Sequence, residues 1–332
     1  MTTLADEAAP GAAAPTALPP KIRAEGLGRR FGEFWAVQDA SFEIRAGEVF
    51  GLLGPNGAGK TTTVRMLTAL IAPSAGQAWI DGFDVVGQAD EVRRRVGLLT
   101  ETPGLYERLD AVENLDFFGR LHELPADVRA ERIERLLRLF DLWKRRHERT
   151  GQYSKGMKQK LAIARALLHE PSVLFFDEPT SALDPEAAFI VRDAIETLRS
   201  QGRTIVLCTH NLDEAERLCD RVAFVRGRIL RVDTPARLRE SSGGAGLLIR
   251  LAAGPAPELL ETLRGAPGVR DVRANDATLT VLVEDVRRDT PGVVRALVAT
   301  GADILEVRET GASLESVYFD VMGVSPASGA FA

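Results

Sequence analysis

Residues Gly54-Pro55-Asn56-Gly57-Ala58-Gly59-Lys60-Thr61 restrict what this chain can fold into more than any other stretch. They fit G-x-x-x-x-G-K-[ST], preceded by the apolar run Val49–Leu53 and followed by apolar residues at helical spacing. Glycines let such a loop curl so that backbone N–H groups face inward, toward phosphate oxygens, and the next helix adds the partial positive charge of its N-terminus. Lys60 is then placed to bridge the outer phosphates and the Thr61 hydroxyl to ligate Mg²⁺, with Thr62 next on the first helical turn. A strand, a phosphate loop and a helix in this order belong to an α/β fold with a largely parallel sheet.

Short apolar runs alternate with longer amphipathic ones throughout residues 21–240. Buried strands are expected at Val49–Leu53, 173–176, 204–208 and 222–225, and helices at 60–71 and 187–199. Asp110 with Glu113, and Asn211 with Glu214, have capping-box spacing and mark two more helix starts. The strand at 173–176 runs into Asp177-Glu178, and two carboxylates behind four apolar residues are costly without a cation. Asp177 is expected to hold Mg²⁺ through water, and Glu178, pointing elsewhere, to take a proton from an attacking water. His210 closes the run 204–208 two residues on, at the same sheet edge, where it can contact a γ-phosphate and the attacking water. His122, His147 and His169 lack such company and read as surface or structural residues.

Composition excludes several classes. With 332 residues, 45% hydrophobic and 27% charged, the chain has material for about two folded domains rather than a disordered segment. Lys+Arg 42 against Asp+Glu 47 leaves a net charge of −5 and no global attraction to nucleic acid or an anionic membrane. No stretch approaches the roughly 18–20 apolar residues of a membrane-spanning helix, so any membrane role is expected to be borrowed from another polypeptide. Cys208 and Cys219 fall in an expected strand and an expected helix, match no metal spacing, and read as small buried hydrophobes of a reducing cytosol.

Residues 1–20 are Ala- and Pro-rich, carry Asp6 and Glu7 where a signal peptide needs positive charge, and read as a flexible, uncleaved tail. Ser-Ser-Gly-Gly-Ala-Gly at 241–246 reads as a linker. Beyond it come strand (247–252), helix (256–265), strands (269–274 and 278–283), helix (290–300) and strand (303–308). That βαββαβ order is typical of a small α+β ferredoxin-like domain. A terminal amphipathic segment, 313–322, is expected to pack back as a helix within a unit spanning 247–323, ahead of a tail at 324–332.

Taken in order along residues 21–240, these motifs resemble the ATP-binding-cassette (ABC) ATPases, which have a P-loop fold with a helical subdomain. Tyr153-Ser154-Lys155-Gly156-Met157-Lys158-Gln159-Lys160 resembles the family's signature loop, in a YSKGMKQ rather than LSGGQ form. Ser181-Ala182-Leu183-Asp184 resembles the D-loop, His210 the switch histidine, and Phe31 the aromatic that stacks on adenine. Two departures stand out. Glu101 occupies the position where the family usually has Gln, so a Mg²⁺ ligand there adds negative charge near the phosphates. Lys155 and Met157 replace the first Gly and the Gln of the signature; Lys155 either adds charge toward phosphate or is simply solvated.

These variants, and the closing segment Ser313-Leu314-Glu315-Ser316-Val317-Tyr318-Phe319, resemble the drug-resistance and antibiotic exporter branch, whose membrane path is a separate polypeptide. The resemblance implies ATP and Mg²⁺ as ligands, and ATP sandwiched in a homodimer between one chain's P-loop and the partner's Ser154, Lys155, Gly156 and Met157. It further implies an integral membrane permease, docked near residues 101–121, and a peripheral place on the cytoplasmic face of the cell membrane. A soluble ABC ATPase of translation or DNA repair is the alternative; those types carry two cassettes or a long coiled coil, which 332 residues without a long heptad run do not supply. A kinase with the same P-loop would leave the signature and D-loop unexplained. The run Lys144-Arg145-Arg146-His147 reads as a charged helix face, and no nucleic-acid partner is expected.

Overall fold

The computed structural model describes residues 19–181, 183–241, 246–310 and 314–323. The expected tails, most of the expected linker and Ala182 lie outside them. Alternating polar and apolar residues form the first strands. Ile22–Phe31 (β1) turns through Gly32, at φ 57°, into Phe34–Ile44 (β2), its antiparallel partner. The phosphate-loop unit follows as Val49–Leu53 (β3) and Lys60–Leu67 (α1). Helix α1 stops short of residue 71 because Ala69 takes φ 54° and the Leu70 and Ile71 amides both return to the Arg65 carbonyl. Ala75–Ile80 (β4) and Phe83–Asp84 (β5) then complete an antiparallel sheet of order β2-β1-β4-β5. The expected fold contained no such layer.

Ala89–Arg95 (α2), Val96–Leu99 (β6), Ala111–Leu121 (α3) and Ala126–Leu139 (α4) come next. At α3 the capping box is reciprocal: Glu113 N donates to Asp110 Oδ1 (2.8 Å) and Asp110 N to Glu113 Oε2 (2.9 Å). Lys155–Leu167 (α5), Val173–Asp177 (β7), Pro185–Ser200 (α6), Thr204–Thr209 (β8), Leu212–Leu218 (α7), Arg221–Val225 (β9), Ile229–Asp233 (β10) and Pro235–Ser241 (α8) finish the α/β part. Its central sheet has the order β10-β9-β3-β8-β7-β6, parallel from β9 to β6, with β10 antiparallel at the edge. Strand register brings Leu53 beside Thr209 and Asp177 beside Cys208, so the residues that follow β3, β7 and β8 emerge together.

Successive side chains on a strand face opposite ways, and here each face is covered. Phe176, Leu207 and Phe224 enter one core with α3 to α7, while Phe175, Val206 and Ala223 enter another with α1 and the antiparallel sheet. Cys208 is buried as expected. Cys219 is buried too but lies just beyond α7 in extended conformation rather than within a helix, where the chain straightens into β9. Residues 144–147 are not a helix face. Trp143–Arg145 is a single 3₁₀ turn; just beyond it the Arg146 guanidinium lies over the Trp143 ring, and Arg145 pairs with Glu148.

Past residue 245 the chain forms Gly246–Leu251 (β11), Pro257–Arg264 (α9), Val269–Asn275 (β12), Thr278–Val283 (β13), Val286–Ala299 (α10) and Ile304–Thr310 (β14). They make an antiparallel sheet, β12-β13-β11-β14, over a separate apolar core. Helix α10 begins earlier than residue 290 because Asp285 caps it, accepting from Arg288 N at 3.0 Å, and Pro291 sits within its first two turns. The last element, Leu314–Met322 (α11), packs elsewhere: Leu314, Val317 and Met322 join the α/β core with Ala215, Leu218 and Leu238. Among the described residues, no helix is long and apolar enough to cross a membrane.

Candidate nucleotide site

The loop between β3 and α1 needs glycine at two points. Gly59 has φ 98° and a Cβ there would lie 2.6 Å from the Ala36 carbonyl oxygen; at Gly54 a Cβ would lie 2.3 Å from that of Val225. The curled loop leaves Lys60, only 5% exposed, donating to the carbonyls of Gly54 (2.6 Å) and Pro55 (3.3 Å). Its Nζ stands 3.4 Å from Glu178 Oε1.

These groups line a cleft of about 470 Å³, a volume suited to a small-molecule ligand. Its floor is the loop from Pro55 through Gly59 with Lys60, Thr61 and Thr62. Glu101, Asp177, Glu178 and His210 form one wall, and Phe31 the outer rim. Gly54 lies beneath the loop and shapes it without lining the cleft. Phe31 is 48% exposed, with the Arg29 guanidinium 4.8 Å from its ring centroid. Phe34, 66% exposed, shares the rim with Phe31 and escaped the sequence reading, although its place across the Gly32 turn was a signal.

Strand β7 delivers the two acids differently. Asp177 is 3% exposed and its Oδ1 has no hydrogen-bond partner. Burial, with the charges of Glu178 and Glu101, pushes its carboxyl above the usual range against the Thr61 hydroxyl and Lys60. Glu178 turns the chain over at φ 50°, where its N–H still donates to the Cys208 carbonyl (2.9 Å). That turn aims Glu178 Oε2 at His210 Nδ1, 2.9 Å away.

The residues of 153–157 and Asp184 do not line this cleft. Ser154 caps α5 by accepting from Met157 N (3.2 Å), leaving Ser154 and Lys155 exposed at the helix's positive end. Gly156 is there for space: a Cβ would come within 2.8 Å of Ala187 Cβ on α6. Asp184 caps α6, accepting from Ala187 N at 2.9 Å. Gln159, buried behind the loop, donates to the Pro179 carbonyl (2.8 Å) and so ties α5 to the turn after Glu178; nothing local in the sequence marks that contact.

Residues 37–181 match the family described as ABC transporter. The daunorubicin resistance ATP-binding protein DrrA3 of Streptomyces coeruleorubidus is 38% identical over 307 residues, 91% of this chain and 96% of the relative. The chain belongs to the ABC transporter ATPases. A Nod factor export ATP-binding protein I of Ralstonia nicotianae is 38% identical over 267 residues, covering 80% of this ABC protein and 82% of the relative. A solved dimeric post-hydrolysis state of an ATP-binding cassette, bound to ADP and Pi, superposes with TM-score 0.58 at 26% identity, over 64% of this chain and 98% of that one. The α/β part is therefore an ATP-binding, ATP-hydrolysing cassette of the drug-resistance and exporter branch, as the motifs implied.

Proposed function

We propose that this cassette is the motor of an exporter, energising a separate membrane permease by ATP-driven closure of a homodimer. The observation that carries this reading is the convergence of Lys60, Asp177, Glu178 and His210 in one cleft. The Gly57–Gly59 amides and Lys60 hold the phosphates, and Phe31 takes the adenine ring. Lys60 exchanges its two carbonyl partners for phosphate oxygens when nucleotide enters. Glu178, its Oε2 shared with His210, takes the proton from the attacking water, and His210 holds that water and the γ-phosphate in line.

Among the described residues, no group of three His, Cys, Asp or Glu side chains could cage a metal alone. Mg²⁺ does not need such a cage, since it binds through one or two carboxylates and substrate phosphates. The orphaned Asp177 Oδ1, the Thr61 hydroxyl and Glu101 form an all-oxygen set that fits it. Mg²⁺ supplies charge neutralisation on the phosphates when bound.

The exposed N-terminus of α5, with Ser154, Lys155, Gly156 and Met157, faces the γ-phosphate held by a second copy, and Asp184 lies on the same seam. A helix N-terminus attracts anions, which is the physical reason for that pairing. Tyr106, Phe117 and Leu121 are exposed near α3, with the Tyr106 and Phe117 rings edge to face at 5.0 Å. This patch takes a short cytoplasmic helix of the permease and places the chain peripherally on the membrane's cytoplasmic face. The relatives' names, daunorubicin resistance and Nod factor export, support the outward direction. Glu178→Gln should keep ATP binding and lose about 10²-fold or more of its turnover; phosphate release at the unsubstituted rate removes Glu178 as the base. Purification from detergent-solubilised membranes should bring down an integral membrane protein; ribosomes or DNA in its place would return the soluble alternative.

A further inference from the structure

Glu214 is a buried acid with no part in the chemistry above. It is 1% exposed, on the first turn of α7, behind the cleft rather than in it. Its spacing from Asn211 is that of a capping box, and Asn211 Oδ1 does accept from Glu214 N (3.0 Å). The return bond is missing, because the Asn211 amide already donates to Thr209 Oγ1 (3.0 Å). The Glu214 carboxyl is thereby released, and its Oε1 accepts from Thr180 Oγ1 at 2.8 Å.

Thr180 lies two residues after Glu178, and Thr209 immediately before His210. Glu214 thus grips the turn that leads away from Glu178, while Asn211, which accepts from its backbone N–H, is tied to the turn that carries His210. The first turn is held on its other side by Gln159 at the Pro179 carbonyl, and it starts from Glu178 in a left-handed backbone conformation that needs outside support. Burial pushes the Glu214 carboxyl above its usual range, against the Thr180 hydroxyl, which favours the charged form. An acid so deeply buried, with Oε2 lacking any hydrogen-bond partner, is an expensive way to cap a helix that Asn211 caps already.

We propose that Glu214 is a positioning residue for hydrolysis: by gripping Thr180 from behind it fixes the 2.9 Å spacing between Glu178 Oε2 and His210 Nδ1. This rests on Glu178 being the base. Small misplacement of a reacting group costs rate rather than binding. In the full chain, Glu214→Ala should therefore lower kcat by about tenfold or more while the affinity for ATP, read with a fluorescent analogue, stays unchanged. Glu214→Gln keeps an oxygen for Thr180 and should recover most of that loss. Thr180→Val should reproduce the defect and add nothing to Glu214→Ala, since the two share one contact. An unchanged kcat in Glu214→Ala overturns the proposal, as does an equal loss in Ala and Gln variants or additive losses in the double variant. If Glu214→Ala fails to fold, Thr180→Val decides alone, because it deletes only the donated hydroxyl. Glu178→Gln assayed in parallel separates the two ideas: normal turnover there removes the base, whereas an inactive Glu178→Gln beside a normal Thr180→Val removes only the positioning role.

Discussion

The cleft and the N-terminus of α5 are the two regions of this cassette that we propose meet phosphate, and they are built in opposite ways. In the cleft, Lys60 and Asp177 are buried, and Lys60 is tied to its own loop carbonyls. At α5, Ser154 and Lys155 are exposed, the positive helix end opens outward, and neither residue reaches the cleft of its own chain. Buried charge needs a partner supplied within the fold, whereas an exposed helix end tolerates solvent until an anion arrives. The difference is what the proposed pairing requires: one chain would hold two complementary halves of a site, which a second copy completes.

Breaking the buried half should have the largest effect. The cleft lining includes one Lys and no Arg, so Lys60→Ala should remove about 10²–10³-fold of turnover, read as phosphate release, together with most ATP affinity by equilibrium titration. Turnover above a tenth of the unsubstituted rate would show that the loop amides alone suffice. Breaking the exposed half should separate binding from assembly. Lys155→Glu puts a carboxylate at the exposed end of α5, where the proposed phosphate of the second copy approaches, and should leave single-chain ATP binding intact while lowering turnover about 10²-fold; weakened binding in the isolated chain would place α5 in the same chain's site.

Two smaller effects sharpen the contrast between buried and exposed structure. Leu314 on α11 is buried in the core of the cassette, so Leu314→Ala should cost the cassette about 2–5 kcal/mol in denaturant unfolding. Leu279→Ala in the separate β11–β14 core should leave ATP binding unchanged. On these grounds we propose that the accessory unit comprises β11 to β14 with α9 and α10, and that α11 serves the cassette. The smallest effect concerns His169, whose ring stacks on His122 at 3.8 Å and donates to the Val96 carbonyl (2.9 Å). Burial lowers its pKa to about 4 from 6.5. The folded chain then binds fewer protons than the unfolded one below pH 6.5, so this contribution is complete above that pH and is lost as pH falls toward 4. Between pH 7 and pH 5 the loss should be about 1–2 kcal/mol, and His169→Gln should flatten that dependence; an unaltered slope would assign it to other groups.

Much of the cleft was legible because each part ends a continuous apolar run. Val49–Leu53 points to Gly54–Lys60, and the strands before Asp177 and His210 carry their residues to the same parallel edge. What escaped depends on contacts between distant segments. Phe34 reaches the rim only because β1 and β2 fold into an antiparallel layer, whose short alternations were hidden beside the stronger parallel signal. Gln159 and Glu214 meet Pro179 and Thr180 across 20 and 34 residues. Glu214 was in view as a capping residue, and only the amide of Asn211, satisfied by Thr209, reveals that its carboxyl is free for another task. Helix α11 was expected to pack back, but its surface partner, the Ala215 and Leu218 side of α7, has no mark in the local pattern.

The claim that two copies complete each other's sites is tested most directly by the mass of Glu178→Gln in solution, measured by sedimentation with and without ATP. Two chains of 36.0 kDa should associate when ATP is present, with two nucleotides bound per pair, and Lys155→Glu in the same chain should abolish that association. A Glu178→Gln chain that binds ATP to saturation and stays at single-chain mass would contradict the account.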